Sequence, residues 1–483
     1  MADSLALTAV ADVSPADGLR TLLDRQRAAF AQDMLPSLEE RLDRITRILD
    51  ITEQHRTALI DAISADFGGR SAHETILGDL IGVIADVKHT RRHLKAWMAP
   101  RSLPTHLVFR PSYNRLLRQP LGVVGIVSPW NYPYFLAMTP AIGALAAGNR
   151  VMVKPSEITP RFSQLLAEIV AQKFSPEEFA VVTGGPDVGR AFSELPFDHL
   201  LYTGSTQVGR LVAQAAAKNL TPVTLELGGK SPAIIDETAN LKLGVPRLMR
   251  SKLFNAGQTC VAPDYVLLHE SHMAAFEGEV RAATGKMYPS FMPNPDYTSI
   301  VTDRHFARLT ELLKDAEARG ARVVKLGAEE DPKMGNRRAM VPSLVFGVDD
   351  TMRLMQEEIF GPILPVKTYR QLDEALDYIN AHERPLALYW FGENKRSQDR
   401  VLTETISGGV TINDCVMHIS QLDSPFGGVG ASGTGSYHGE YGFRTFSKEK
   451  PIFFQSKWAG GNKLRPPYGA RFAKLEKIMR KLI

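Results

Sequence analysis

The fold of this chain is most constrained by short apolar runs that alternate with helical segments. In the first half of the chain the apolar runs are LGVVGIVSP, RVMVKPS, FAVVTGG and FDHLLYTGS, and the segments between them include TPAIGALAAGN and FSQLLAEIVAQ. Continuously apolar strands separated by helices form parallel sheets that are covered on both faces. This region therefore predicts a parallel α/β sheet.

The same alternation restarts after Glu226. Its parts are SPAIIDE, YVLLHE, a predicted helix near residues 303 to 318, and ARVVKLG. A chain of 483 residues is too long for one ordinary core, so two or three structural regions are expected. Both observations predict a second α/β unit.

Amphipathic helix is expected through most of the first 100 residues. Ser37 and Glu40 form a capping box, and apolar residues follow at helical spacing at Leu38, Leu42, Ile45 and Leu49. The segment LVFRPSYNRLLRQP then alternates as an exposed strand does. From Ser424 the chain is glycine-rich, and it ends in a basic helical segment.

Composition excludes several classes of protein. An apolar fraction of 44% with 23% charged residues is typical of a globular chain, and a net charge of +4 gives no reason to expect nucleic acid. Two cysteines are too few for a disulfide framework or a cysteine zinc site. The N-terminus lacks a basic region before its apolar stretch, so no signal peptide is expected. A reducing, cytoplasmic setting fits best.

Two segments raise the question of a membrane. Residues 121–149 carry no charge, but three prolines, Pro129, Pro133 and Pro140, argue against a spanning helix. The C-terminal segment YGARFAKLEKIMRKLI forms a basic amphipathic helix, with one apolar face made by Phe472, Leu475, Met479 and Leu482. Such a helix could lie on an anionic membrane. We expect it instead to pack on its own protein, with no integral membrane segment.

Cys260 lies in the polar stretch FNAGQTCVAPDY, where a thiol that serves only for packing is not expected. The thiolate is the reactive form of cysteine, so a useful nucleophile needs electropositive surroundings or a nearby base. By itself this position is also compatible with a partly buried, inert thiol. Cys415 has no comparable surroundings and is expected to be structural.

Glu226 and Asn131 are candidate partners for such a nucleophile. Glu226 sits between two leucines in TLELGGK, where burial would raise its proton affinity and suit a general base, although an ion pair with Lys230 is an alternative. Asn131 follows a buried strand in SPWNYPYF, where its amide could donate to an oxyanion or support a proline-rich turn.

Three further segments could bind a ligand. Lys154 and Glu157 follow one strand, while Gly204, Ser205, Thr206 and Gly209 follow another and open a helix whose amides suit a pyrophosphate. The spacing there is neither a P-loop nor the GxGxxG fingerprint, so an ordinary strand-to-helix turn explains it equally well. Glu358 and Phe360, in QEEIFGP, could contact a ribose and a flat ring or form an ordinary loop.

The order of these motifs resembles the aldehyde dehydrogenase superfamily. NYP, KPSE, GSTQVG, ELGGK, GQTC, EEIFGP and FGGVGASGTG follow one another over nearly the whole chain. The segments NDCVMH (413–418) and GSYHGEYGFRTFSKEK (435–450) are similar to the class 3 branch, and within it the chain resembles the coniferyl-aldehyde dehydrogenase type. The resemblance implies NAD(P)-dependent oxidation of an aldehyde, aromatic or cinnamyl such as coniferyl aldehyde, to the carboxylic acid.

The resemblance also implies a role for each matching residue. Cys260 would be the nucleophile that forms a thiohemiacetal and then a thioester, with Asn131 and the Cys260 backbone N–H holding the oxyanion and Glu226 activating the hydrolytic water. The expected cofactor-binding residues are Lys154, Glu157, Gly204, Ser205, Thr206, Gly209, Glu358 and Phe360. Tyr132 and Thr259 are expected at the substrate pocket, within an aromatic entrance that also includes Trp130, Tyr134 and Phe135.

The implied fold is α/β, with a Rossmann-type cofactor domain, an α/β catalytic domain and a small β oligomerisation arm. The expected limits are 1–98 and 119–224 for the cofactor domain, 225–418 for the catalytic domain, 99–118 and 419–450 for the arm, and 451–483 for a basic tail. A homodimer is expected. Glu157 favours NAD over NADP because a carboxylate repels a 2′-phosphate, although class 3 relatives use either cofactor.

Two alternatives remain open at this stage. A CoA-acylating dehydrogenase would pass the thioester to CoA rather than to water, but it would not need Glu226 as a hydrolytic base. A non-catalytic binding or structural protein on the same fold would not need Cys260, Glu226 and Asn131 together.

Overall fold

The computed structural model describes residues 15–292, 294–327, 338–458 and 465–482. Its strands are β1 (Arg101–Leu103), β2 (Tyr113–Pro120), β3 (Val123–Val127), β4 (Arg150–Lys154), β5 (Phe179–Val181), β6 (His199–Gly204), β7 (Val223–Leu227), β8 (Pro232–Ile235), β9 (Tyr265–His269), β10 (Arg322–Lys325), β11 (Ser343–Phe346), β12 (Ile363–Tyr369), β13 (Ala387–Phe391), β14 (Gly409–Ile412), β15 (Gly433–Thr434) and β16 (Ser447–Phe454). The N-terminal residues 1–14, for which no signal peptide is expected, lie outside the described residues.

Helices connect most of these strands. They are α1 (Pro15–Gln32), α2 (Leu38–Gln54), α3 (Arg56–Phe67), α4 (Ala72–Thr75), α5 (Ile81–Met98), α6 (Pro133–Ala147), α7 (Pro160–Ala171), α8 (Pro186–Ser193), α9 (Thr206–Ala217), α10 (Leu241–Leu253), α11 (Met273–Met287), α12 (Asp303–Ala318), α13 (Arg353–Gln356), α14 (Leu372–Asn380), α15 (Lys395–Glu404), α16 (Gly439–Thr445) and α17 (Arg471–Leu482). A π-helical turn, Ile76–Leu80, joins α4 to α5.

The predicted parallel sheets are confirmed. One sheet has six strands in the order β15-β7-β6-β3-β4-β5, and the other has seven in the order β10-β11-β12-β9-β8-β13-β14. All neighbouring strands are parallel except the edge strands β15 and β10. A separate three-stranded antiparallel sheet has the order β1-β2-β16.

Local predictions from the sequence agree with several of these elements. The capping box at Ser37 and Glu40 is present at the start of α2. The helix predicted near residues 303 to 318 is α12, and Thr302 caps it through a hydrogen bond from the His305 amide. Apolar residues of α2, of β3 and of β9 belong to one continuous core, so the two parallel sheets are joined by packing.

The sheet boundaries differ by a few residues from the expected domain limits. β7 remains paired with β6 as far as Leu227, so the chain leaves the six-stranded sheet at Gly228 rather than at residue 225. β16 pairs with β2 over its whole length to Phe454, past the expected end of the arm at residue 450. In both cases the ladder hydrogen bonds, which the sequence pattern does not reveal, decide where the strand ends.

The uncharged stretch 121–149 forms β3, a turn and α6, and apolar residues of β3 and of α6 belong to the core. No helix in the described ranges is both long enough and apolar enough to cross a membrane. The C-terminal helix α17 contacts the turn Leu107–Phe109, although Phe472 and Ile478 on it remain exposed. Residues 459–464 of the expected tail lie outside the described part of the chain.

Candidate active site

The candidate site lies between the two parallel sheets. The six-stranded sheet faces it with the carboxyl ends of its strands, and the seven-stranded sheet supplies the loops that precede β8, β9 and β12. These loops enclose a cavity of about 250 Å³, several times the volume of one water molecule (~30 Å³). Seven of the predicted catalytic and cofactor-binding residues line it: Asn131, Gly204, Ser205, Glu226, Cys260, Glu358 and Phe360.

A tight backbone bend presents Cys260 to the cavity. Asn255, Ala256 and Gly257 are consecutively left-handed, with φ of 54°, 51° and 74°. A Cβ at Gly257 would overlap the Gly361 carbonyl oxygen, so this position requires glycine. Gln258 fixes the bend by donating to the Ser299 carbonyl at 3.0 Å and accepting from the Val301 amide at 2.9 Å.

The Cys260 thiol is partly buried and is protonated at neutral pH. Burial, together with the nearby carboxyl groups of Glu358 and Glu226, raises the pKa of the thiol to about 12. Hydrogen bonds from the amides of Cys260 and Val261 act in the opposite direction but do not outweigh these effects. The surroundings are therefore not electropositive, and a nucleophilic role for this thiol depends on a nearby base.

Glu226 is a buried carboxyl group at the end of β7, with 2% of its surface exposed. Neither of its carboxyl oxygens has a hydrogen-bond partner among the described residues. Burial raises the pKa of this carboxyl well above its usual value, because nothing nearby compensates the charged form. The alternative of an ion pair with Lys230 is wrong.

Lys230 instead forms an ion pair with Asp264, whose side chain is almost fully buried. The same ammonium group donates to the carbonyl oxygens of Leu354 at 2.7 Å and Glu357 at 3.1 Å. Asp264 in turn accepts a hydrogen bond from the Ile359 amide at 2.9 Å. One lysine thus ties together the three loops that precede β8, β9 and β12.

Asn131 lies in the connection from β3 to α6, and it is buried. Its side-chain amide donates to the Gln258 carbonyl at 3.2 Å, which places the amide beside the Cys260 loop. An amide nitrogen carries two hydrogens, so one remains available to a ligand. Its backbone carbonyl accepts from Arg70 and from Asn255. The side chain therefore contacts the loop that carries Cys260 rather than supporting its own turn.

The residues expected at an adenosine ribose lie at the end of β4. The Lys154 ammonium is buried and lies 2.9 Å from the Glu157 carboxylate. Burial alone would raise the pKa of Glu157, but the hydrogen bond and charge of Lys154 outweigh burial and hold that pKa below its usual value. Glu157 is therefore a carboxylate at neutral pH, able to accept hydrogen bonds from hydroxyl groups.

Residues 204–209 lead from the end of β6 into the N-terminal end of α9, which lies at the cavity through Gly204 and Ser205. The Ser205 hydroxyl caps this helix by accepting from the Val208 amide at 3.4 Å, and Thr206 donates to the Ala431 carbonyl at 3.2 Å. A Cβ at Gly209 would lie 2.5 Å from a Leu227 methyl carbon, so glycine allows the helix to approach β7 closely. The helix N-terminus can accept an anionic group such as a phosphate.

Glu358 and Phe360 border the cavity from the loop before β12. Burial and the charge of Asp264 raise the pKa of Glu358 to about 8. A Cβ at Gly228 would overlap the Glu358 carboxyl group, so the glycine makes room for this side chain. Phe360 has a φ of 53°. Its ring packs edge-on against the Trp130 ring, with 5.4 Å between the ring centroids.

Tyr132 and Thr259, expected at the substrate pocket, are absent from the lining of this cavity. The Tyr132 hydroxyl and the Thr259 hydroxyl are hydrogen-bonded to each other at 2.6 Å, and the tyrosine ring is stacked on Phe254. Trp130 lines the cavity, whereas Tyr134 is fully buried in the core. The reason is that only part of an aromatic segment can face one cavity when the next residues enter a buried helix.

Two titratable residues that line the cavity, His305 and Arg308 on one face of α12, were not predicted from the sequence. The His305 ring contacts Trp130 at 5.2 Å, and burial together with Arg304 and Arg308 lowers the pKa of His305 to about 4. Arg308 donates to the Glu358 carbonyl at 3.2 Å. Nothing in the local sequence distinguished them from the other polar residues of an amphipathic helix.

Comparisons with known proteins find relatives along nearly the whole chain. The aldehyde dehydrogenase family matches residues 7–452. The chain is 48% identical to a coniferyl aldehyde dehydrogenase of a Pseudomonas species, over 94% of each chain, and 48% identical to a probable coniferyl aldehyde dehydrogenase of Caulobacter vibrioides, over 93% of this chain and 94% of that protein. It is 38% identical to aldehyde dehydrogenase family 3 member A2 of Macaca fascicularis, over 92% and 90%.

Solved structures are similar along most of their length. The substrate-bound Staphylococcus aureus AldH has a TM-score of 0.90 and 36% identity, over 95% of this chain and 99% of that one. Betaine aldehyde dehydrogenase from Staphylococcus aureus in complex with NAD+ has a TM-score of 0.80 and 25% identity, over 91% and 87%.

Lys230→Met should destabilise the protein strongly, because it removes the ion-pair partner of the almost fully buried Asp264. We expect a loss of about 3 kcal/mol in the free energy of unfolding, measured by urea denaturation. Arg250→Met, which breaks the more exposed ion pair with Asp414, is the matched control and should cost less than about 1 kcal/mol. Equal, small losses in both variants would contradict the structural role given to Lys230.

Proposed function

Because the chain belongs to the aldehyde dehydrogenase family, we propose that it oxidises an aromatic or cinnamyl aldehyde, such as coniferyl aldehyde, to the carboxylic acid. The main structural support for this proposal is that Cys260, Asn131, Glu226 and Glu358 line one cavity. The relatives named for coniferyl aldehyde support the substrate class. The rings of Trp130 and Phe360 at the cavity offer apolar surface for a planar molecule.

In the first half of the reaction, the Cys260 sulfur attacks the aldehyde carbon as its thiol proton leaves. Because the resting thiol is protonated, a base must accept that proton, and Glu226 has two unpartnered oxygens at the same cavity. The carbonyl oxygen becomes an oxyanion, which the free hydrogen of the Asn131 amide and the Cys260 backbone N–H stabilise.

The residues around the cavity fit a dinucleotide. The open N-terminus of α9 suits a pyrophosphate, Lys154 and Glu157 suit the adenosine ribose, and Glu358 with Phe360 suits the nicotinamide ribose and ring. When bound, NAD(P) accepts the hydride that the tetrahedral adduct on Cys260 releases, and the adduct thereby becomes a thioester. We favour NAD, because the Glu157 carboxylate would repel a 2′-phosphate.

In the second half of the reaction, Glu226 first releases the thiol proton to solvent and then removes a proton from a water molecule that attacks the thioester carbonyl. The C–S bond breaks, the carboxylic acid leaves, and Glu226 returns its proton to the Cys260 sulfur. A buried carboxyl with a raised pKa binds protons tightly, which is what a general base near neutral pH requires. An unpartnered carboxyl at the cavity favours hydrolysis over transfer to CoA.

We further propose a homodimer formed through the three-stranded sheet. Its strands carry exposed apolar side chains, Tyr113, Phe453 and Phe454, and exposed strand surfaces tend to pair with another chain. A cytoplasmic location follows from the proposed chemistry, because Cys260 must stay a free thiol and both cysteines are unpaired in the fold.

A specificity survey tests the proposed substrate class. We expect kcat/KM for coniferyl aldehyde to exceed that for long alkyl aldehydes by at least about tenfold, since apolar ring contacts discriminate by this order. The survey uses both cofactors, and NAD should give the higher kcat/KM. A preference for alkyl aldehydes would contradict the substrate proposal, and a burst of NADH that stalls until CoA is added would favour the acylating alternative.

Glu226→Gln should slow both steps in which this carboxyl accepts a proton, but thioester hydrolysis more than acyl-enzyme formation, because a thiol loses its proton more readily than water does. In stopped-flow measurements we expect an NADH burst of about one per active site, followed by steady turnover reduced ~100-fold or more. Glu311→Gln, on the exposed surface of α12, is the control and should retain normal turnover.

Cys260→Ala should show neither an NADH burst nor steady turnover in the same assay, while it still binds NAD. An unchanged steady rate in Glu226→Gln would refute the base, and turnover in Cys260→Ala would refute the nucleophile.

A further inference from the structure

Two hydrogen bonds to its backbone carbonyl help to hold Asn131 in place. This oxygen accepts from the Arg70 guanidinium at 2.9 Å and from the Asn255 side chain at 3.1 Å. The Asn255 side chain also donates to the Gln258 carbonyl at 3.2 Å. Asn131 is therefore held between Arg70 and the loop that carries Cys260.

The Arg70 guanidinium is itself locked in place. Its side chain is fully buried and lies 2.9 Å from the Asp79 carboxylate, which is also fully buried. The rings of Phe67 and Tyr132 lie 5.1 and 5.0 Å from it. An ion pair enclosed by aromatic rings has little freedom to rotate, so the direction of the bond to Asn131 is fixed.

Asp79 extends this arrangement to the helix that follows Asn131. Its carboxylate accepts from the amides of Tyr134 at 3.0 Å and Phe135 at 3.2 Å, in the first turn of α6. It lies in the π-helical turn, a geometry that is common at functional sites. In the same turn a Cβ at Gly78 would lie only 2.7 Å from the Tyr132 ring, so the turn is in close contact with this segment.

A second contact from the same N-terminal segment reaches the nucleophile loop. The Glu74 carboxyl accepts from the Asn255 amide at 3.0 Å and from the Thr298 hydroxyl at 2.6 Å. Residues 70–79 thus contact both sides of the site, at Asn131 through Arg70 and at Asn255 through Glu74. Neither contact touches the cavity, because none of these N-terminal residues lines it.

We propose that the Arg70–Asp79 ion pair positions the Asn131 amide against the Cys260 loop, so that Arg70 and Asp79 are positioning residues for the oxidation. The inference rests on the proposed function, since it assigns the amide to the oxyanion. Stability alone gives little reason for the pair, because apolar residues of similar volume often replace a buried ion pair without loss. A small displacement of an oxyanion donor, by contrast, lowers the reaction rate markedly.

Arg70→Lys is the first test, because it keeps the charge but removes the planar group that bridges Asp79 and Asn131. We expect the rate of the NADH burst to fall about tenfold, with KM for NAD unchanged and thermal unfolding close to that of the wild type. Arg44→Lys, at another almost buried arginine that pairs with Glu178, is the matched control and should leave the burst rate unchanged.

The double variant Arg70→Met with Asp79→Leu covers the case in which Arg70→Lys fails to fold. It removes both charges of the buried pair together, so we expect a folded protein with the same loss of burst rate. A folded double variant with the wild-type burst rate would overturn the proposal.

An Asn131→Ala background separates positioning from a general structural effect. If Arg70 acts through the amide, Arg70→Lys should change the remaining burst rate less than about twofold in that background, because effects that act through one group are not additive. A full additional tenfold loss would overturn the proposal. The wild-type enzyme in the same assay reports separately on the proposed function, which fails if no aldehyde is oxidised.

Discussion

The ion pair between Lys230 and Asp264 is the contact on which the rest of the site depends. Lys230 follows Glu226 by four residues, yet its ammonium turns to Asp264 and to two carbonyl oxygens of the loop before β12. The position of the Lys230 ammonium group has two consequences. It joins the loops that carry Cys260 and Glu358, and it leaves the buried Glu226 carboxyl without a counterion among the residues that the structure describes.

Because the Glu226 carboxyl has no counterion among the described residues, burial determines how readily it ionises. Glu226, Glu358 and the Cys260 thiol all have raised pKa values, with burial as the largest cause for each. In such surroundings charge is costly, so each group holds its proton more tightly than usual, and only the ionised form of Glu226 can accept the thiol proton. A thiol with a pKa of about 12 becomes a useful nucleophile only when a base takes its proton. The same carboxyl can serve that need and later activate water.

The sequence predicted the elements with a local signal. The apolar runs gave the parallel strands, and the capping box gave the start of α2. The cavity gathers Cys260, Glu226 and Asn131 from three distant segments, and only the order of the motifs indicated this in advance. The partner of Lys230 was wrongly predicted as Glu226 in one alternative, because Asp264 comes close only when β8 and β9 pair.

Other features could not be read from the sequence because they depend on tertiary packing. His305 and Arg308 reach the cavity only because α12 packs beside the loop before β12. Tyr132 bonds Thr259 instead of lining the cavity, since its ring is held by Phe254. Arg70 and Asn131 are 61 positions apart in the sequence, and no local pattern marks their contact.

The pH dependence of acyl-enzyme hydrolysis tests the central claim most directly. A carboxyl whose pKa is raised is mostly protonated at acid pH, and its base form grows as pH rises through that raised pKa. The account therefore predicts that the single-turnover hydrolysis rate rises with pH through an apparent pKa well above 4.5, the usual value for glutamate. A rate that is already at its plateau near that usual value and stays flat at higher pH would contradict it.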